Sequence, residues 1–268
     1  MTSASRPRVL PDYKCELLSK SQLELVVAQI TFPPLPKFNV GPEVEREYTL
    51  AFAERVRRRY PRMQQEPQLK IFVTDQGVQP VPGEPLLRFT DLDQKWSVVI
   101  GKEHLSLEAF QYTGYQEFSE RLREIASIAK EAFSIDYQLR CGLRFVNELR
   151  FEDCQKYSDF WSLLNHDIVG YNPEDLFDAK AVGLINEATM RRDDGVLRLR
   201  RGFLQGTTIR KADNPPKQGP FYLIDLDYFD EKPQEFQIDV TERFAAYNHY
   251  MFRVFRFILE EKLYKRLK

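Results

Sequence analysis

The segment FYLIDLDYFDE, residues 221–231, sets Asp225 and Asp227 two apart within a run of large apolar side chains. Residues two apart on a strand project from one face, so these carboxylates stand side by side. Such a pair is a candidate ligand set for a divalent metal if a further carboxylate joins it. Glu187 is the ready third ligand. A different chemistry fits the same residues. Arg198 and Arg200 in LRLRR are also two apart, and opposite charges facing each other across a strand pair stabilise it modestly. The alternation favours this ladder. Tyr222, Ile224, Leu226 and Tyr228 form a continuous apolar face, which belongs under helices. The aspartate face, shared with Phe221, Leu223 and Phe229, is then expected to be the exposed side. No metal and no cofactor is expected.

Basic residues gather beside this strand. Arg198, Arg200, Arg201, Arg210 and Lys211 lie in or after one hairpin, with Arg191 and Arg192 on its first arm. Strand-borne arginines near aromatic rings suit RNA, through phosphate contact and base stacking. Asp193, Asp194, Asp225 and Asp227 lie close by, so a self-neutralising charged surface is favoured. Arg57 and Arg58, in ERVRRRYPR, have the same two readings. One is a solvated helix end that suits the dipole, the other a phosphate-contacting patch.

Other chemistry finds little footing. His104, His166 and His249 form no HxH or HExxH spacing, and no CxxC joins Cys15, Cys141 and Cys154. GxSxG, a phosphate-cradling glycine loop and GxGxxG are absent. The residues therefore name no reaction and no catalytic group.

The elements that would position these groups alternate between strands and helices. LELVVAQITF reads as a strand stopped by PPLP. The next segment, through VRRRYP, reads as a helix opened by Pro42 and ended by Pro61. LKIFV, LLRFT, KWSVVIG and HLSLEAFQY read as short strands. GYQEFSERLREIASIAKEAF is an amphipathic helix with Phe118, Leu122, Ile125 and Ile128 on one face. YQLRCGLRFVNELRF is a long strand carrying Cys141, Leu143 and Phe145 on one face and Arg140 and Arg144 on the other. Asp194-Gly195 between alternating runs marks a hairpin. One long helix is expected from Val240 to Leu267. Its apolar face is broad enough that Tyr247, Tyr250 and Phe257 are candidates to meet a partner protein.

The expected fold is α+β, a mainly antiparallel sheet with helices on one side. The plan is a β-α-β-strands-α-β lobe over 1–151, with ferredoxin-like split βαβ elements, then a β-β-β-α lobe over 152–268. One continuous domain built from both lobes is the alternative to two separate ones. With 43% hydrophobic and 13% aromatic residues among 268, a sizeable core is available. The formal net charge of −1 excludes a generally basic nucleic-acid binder and leaves only local patches. No stretch reaches the roughly 18 apolar residues of a spanning helix, so no membrane contact is expected. The opening MTSASRPRVLPDYK lacks the apolar core of a secretory signal. With the odd cysteine count, this points to the cytoplasm.

The segments LELVVAQITFPP, LEAFQYTGYQEFSERL, RCGLRFVNEL, YLIDLDYF and FRFILEEKL occur in an order that resembles an uncharacterised, sporadically distributed bacterial protein family. GLRFVNEL and LIDLDYF are the most specific. That family has no established activity, so the resemblance implies no site residues. Its patchy distribution implies mobile defence or conflict islands. The functional expectation is a non-enzymatic cytoplasmic binding or adaptor protein acting through a protein partner. The alternative is an RNA-binding or RNA-processing protein that uses the basic hairpin.

Overall fold

The structure, a computed structural model, describes residues 10–35, 42–67, 69–74, 77–82, 86–206 and 217–268. In chain order the elements are β1 (Leu23–Thr31), α1 (Pro42–Val56), β2 (Arg62–Glu66), β3 (Leu69–Thr74), β4 (Gly77–Pro82), β5 (Leu86–Thr90), β6 (Trp96–Ile100), β7 (His104–Ala109) and α2 (Tyr115–Phe133). They continue with β8 (Tyr137–Gln138), β9 (Arg140–Leu149), α3 (Tyr157–Trp161), α4 (His166–Val169), α5 (Pro173–Phe177), β10 (Gly183–Arg192), β11 (Gly195–Gln205), β12 (Pro220–Asp230), β13 (Gln234–Glu235), α6 (Thr241–Ile258) and α7 (Glu261–Leu267). The fold is α+β.

Nine strands form one antiparallel sheet in the order β10-β11-β12-β9-β1-β7-β6-β5-β2. Because β12 hydrogen-bonds to β9, the sheet is continuous across residue 151. Alternation sets its two faces. Val26, Ala28 and Ile30 of β1 lie level with Phe145, Leu143 and Cys141 of β9. Leu226 and Tyr228 of β12 continue the Phe145 and Leu143 rows, and Tyr222 pairs with Leu149. All of these are buried except Phe145, which packs against the core half-buried.

Helices from along the chain pack on that apolar face. Phe52 of α1 meets Phe89 edge to face, with centroids 5.7 Å apart. Phe118 of α2 lies 5.9 Å from Trp96, and Tyr247 of α6 lies 4.7 Å from Tyr228. Phe160 of α3 stacks on Tyr222. Aromatic pairs at these separations add specific contact energy to the area they bury.

The C-terminal helix is not one rod. It breaks at Leu259, whose backbone is extended, before α7 resumes. The apolar periodicity continues through the break, so pattern alone reads straight across it. The cause is tertiary. Asn165 N–H donates to the Ile258 carbonyl, its side-chain amide donates to the Phe257 carbonyl, and Glu260 N–H donates to the Leu163 carbonyl. A neighbouring segment thus takes over the terminal helix groups.

β2 is a further element that pattern does not reveal. RMQQE is polar, and four of its five residues are exposed at the sheet edge. Among the described residues, no helix is long and apolar enough to cross a membrane.

Candidate functional site

Register places Asp225 opposite Arg200 and Asp227 opposite Arg198, as the ladder requires. The side chains nevertheless pair elsewhere. Arg144 on β9 grips Asp225 through Nε at 2.8 Å and Nη2 at 2.7 Å. Arg140 reaches Asp227 at 3.2 Å and stacks over Phe229. Arg198 and Arg200 turn outward to Glu187 on β10, with Arg200 donating at 2.8 Å. Each aspartate therefore pairs toward the middle of the sheet and each hairpin arginine toward its edge.

The aspartate face is not an open surface. Asp225 is 6% exposed, and Glu148, Arg88, Ser97 and Ser106 on the same face are buried as well. This corrects the expectation of an exposed side. Carboxylates held by guanidinium forks can be buried where unpaired ones cannot. The same device recurs along the sheet. Arg88 spans Glu66 and Glu108, each at 2.6 Å, and Arg150 pairs with Glu148 at 3.2 Å. Burial raises the pKa of Asp227 despite the opposing pull of Arg140, Arg144 and Arg198. Burial raises Glu108 too, against Arg88. Arg144 is raised chiefly by its hydrogen bonds to Asp225.

The metal candidates do not converge. Asp225 and Glu187 each spend their carboxylates on arginines, two strands apart. Among the described residues, no three His, Cys, Asp or Glu side chains are grouped to hold an ion.

Of the basic candidates, Arg198 is exposed and Arg200 half-buried beside it. Arg201 lies on the opposite face and donates to the Ile168 carbonyl. Arg210 and Lys211 lie outside the described residues. Arg57 and Arg58 are exposed just beyond α1.

The candidate interface residues of α6 divide two ways. Tyr247 is buried, and its hydroxyl donates to Asp230 at 2.5 Å. It is part of the core, which corrects its place on a partner surface. A tyrosine can be apolar in body and polar at its tip, so periodicity did not separate these roles. Tyr250 is half-buried beneath the Arg192 guanidinium at 4.0 Å, and Phe257 is half-buried.

Two features lay beyond sequence reasoning. The first is the sheet edge. Nine of the ten residues of β10 are exposed. Its approach carries Leu176, Phe177 (66% exposed) and Val182 (76%), and Ile185 and Met190 follow on the strand. The second is a cavity of about 220 Å³ beneath α6. Cys15, Leu23, Phe145, Asn147, Leu226 and Met251 are among its lining. Its residues come from the N-terminal segment, three strands, the entry to α2 (Tyr112, Gly114, Tyr115) and α6, so no sequence window contains it.

No protein-family model matches this chain, and no curated protein is significantly similar to it. The resemblance noted above rests on its quoted segments alone.

Proposed function

We propose that this chain is a protein-binding module, an adaptor that engages its partner through β10, the strand that ends the sheet among the described residues. The observation that carries the reading is an edge strand of ten residues, almost wholly exposed, beside a run of exposed apolar side chains. An edge strand presents unpaired N–H and C=O groups at ladder spacing, and an extended segment of another protein completes them. Natural edges are usually short or blunted, as β2 is at the other end with five residues. The partner proposed is therefore an extended strand with apolar side chains for Ile185 and Met190.

The finer fold reading belongs to the same proposal. The order β9-β1-β7-β6, with α1 after β1 and α2 between β7 and β9, supports a split βαβ, ferredoxin-like element widened by further strands. A cytoplasmic setting is supported by three free cysteines. A place in a mobile defence or conflict system is supported by the family resemblance.

The second reading is RNA binding by the hairpin. It is favoured by Arg191, Arg198 and Arg200, which register places on one face, with Glu187 on β10 and Asp225 and Asp227 on β12 also on that face. Phosphates would compete with Glu187 for these guanidiniums.

The test is affinity capture from the native cell, comparing the wild type with Ile185→Lys/Met190→Lys. Light scattering of the purified chain detects a second copy. A captured protein that the variant loses while its melting temperature holds is the expected outcome. A partner retained by the variant, or no partner and a monomer, overturns the proposal.

A further inference from the structure

The N-terminal segment crosses α6 and places two of its side chains on one histidine. Cys15 Sγ lies 3.5 Å from His249 Nδ1, and Asp12 Oδ1 lies 3.2 Å from His249 Nε2. Arg253, one helical turn further along, anchors the segment by donating from Nε to the Pro11 carbonyl at 2.8 Å, and it lies 3.6 Å from Asp12. The carboxylate can only accept, so the neutral imidazole that satisfies both contacts carries its proton on Nε2 and turns the Nδ1 lone pair to the thiol. This is nucleophile, base and orienting carboxylate in sequence. Cys15 is also among the residues lining the 220 Å³ cavity, with Phe145, Leu226, Met251 and Phe255 on its apolar side and Glu16, Asn147 and Asn248 on its polar side.

We propose that Cys15, His249 and Asp12 form an acyl-acceptor site for thioesters or activated esters with a short apolar acyl chain. The chain occupies the cavity. The thiol proton passes to His249 Nδ1 as sulfur attacks the acyl carbonyl. The new C–S bond forms, the bond to the leaving group breaks, and the leaving thiolate or alkoxide takes the proton from His249. Asp12 is a positioning residue that fixes the tautomer and steadies the imidazolium. An apolar cavity of about 150 Å³ accepts benzene, so this one has room for a phenyl group or a branched acyl chain.

Burial, and then the charge of Asp12, raise the thiol above its ordinary pKa. The resting sulfur is therefore protonated at neutral pH and depends on its base. Cys141 and Cys154 are buried, each pushed up to about 11 mainly by burial, and they meet the Gln138 amide and the Asp153 carboxylate rather than an imidazole.

The test treats the full chain with p-nitrophenyl butyrate. It follows nitrophenolate release and locates the butyryl group by peptide mass spectrometry. The wild type is expected to carry one group, on Cys15. Cys15→Ala should carry none, and His249→Gln should label about 100-fold more slowly, the lower end of general-base assistance. Absence of butyryl on Cys15, or labelling of His249→Gln at the wild-type rate, overturns the proposal. If His249→Gln does not fold, Asp12→Asn decides, because Asp12 is largely exposed. Slower labelling of that variant supports the relay, and an unchanged rate removes it.

Discussion

Arg144 holds Asp225 with two parallel hydrogen bonds, yet the two ends of this pair differ in solvent contact. The Arg144 side chain is 44% exposed and that of Asp225 only 7%. Removing the arginine strands a buried carboxylate, while removing the carboxylate charge leaves a guanidinium that water can reach. Arg144→Met should therefore cost about 3 kcal/mol and Asp225→Asn about 1 kcal/mol. Urea unfolding of both variants measures the difference. Equal costs would mean that the aspartate is no more desolvated than its partner.

The same pairing predicts the response to metal. Mg²⁺ or Mn²⁺ stabilises only if it binds the folded state better than the unfolded one. With Asp225 gripped by Arg144, and Glu187 by Arg200, an ion would have to displace both arginines. The expected outcome is an unchanged melting temperature at millimolar metal. A rise that vanishes in Asp225→Asn/Asp227→Asn would restore the metal reading.

His104 gives the folded protein a pH dependence of known sign. Burial lowers its pKa, against a smaller upward pull from Glu103. The unfolded chain takes up this proton near pH 6.5, and the folded protein only at lower pH. Between those values the unfolded state binds more protons. This group's contribution is thus fully present above about pH 6.5 and is lost as pH falls toward the folded pKa. Chemical denaturation between about pH 5 and 7.5 should show stability rising with pH. His104→Gln should flatten that rise, and an unchanged slope would place the titration elsewhere.

Much of this arrangement is legible in local pattern. The alternation of Tyr222, Ile224, Leu226 and Tyr228 marks the buried face of β12, and Asp194-Gly195 marks the hairpin to within one residue, since the turn is Asp193-Asp194 and Gly195 opens β11. The identity of the aspartates' partners is not local. Register with β11 offers Arg198 and Arg200, but β12 has a second neighbour, β9, and its arginines win because Glu187 draws the others outward. Burial of Asp225, Glu148, Arg88, Ser97 and Ser106 on that face depends on neighbours along the sheet, which no single strand encodes. Cys15 and His249 lie 234 residues apart, and their meeting depends on how the N-terminal segment crosses α6.

The RNA reading makes its own demand. Arg198→Glu/Arg200→Glu removes two candidate phosphate contacts and leaves Glu187 among like charges. If RNA binds this face, filter binding should weaken at all sequences. The slope of log affinity against log salt should also shrink by roughly two lost contacts' worth. Unchanged affinity and slope would remove the hairpin from any RNA role.

Gly202 determines whether the β10 edge exists at all. A Cβ built there would lie 1.8 Å from the Leu184 carbonyl oxygen and 2.8 Å from Ile185 Cα. Both are backbone atoms of the paired strand, so no rotamer change relieves the clash. Gly202→Ala must push β10 away, at a cost of about 1–3 kcal/mol or more. The damage should be local, because β9, β11 and β12 keep their own ladder. Amide exchange should accelerate across Gly183–Arg192 while Arg140–Leu149 stays protected. Gly183→Ala is the control, since a Cβ there meets nothing within 4 Å, and its effect should stay within about 0.5 kcal/mol. If Gly202→Ala retains wild-type exchange in β10, the close approach of the two strands is refuted, and the edge proposed to receive a partner strand with it.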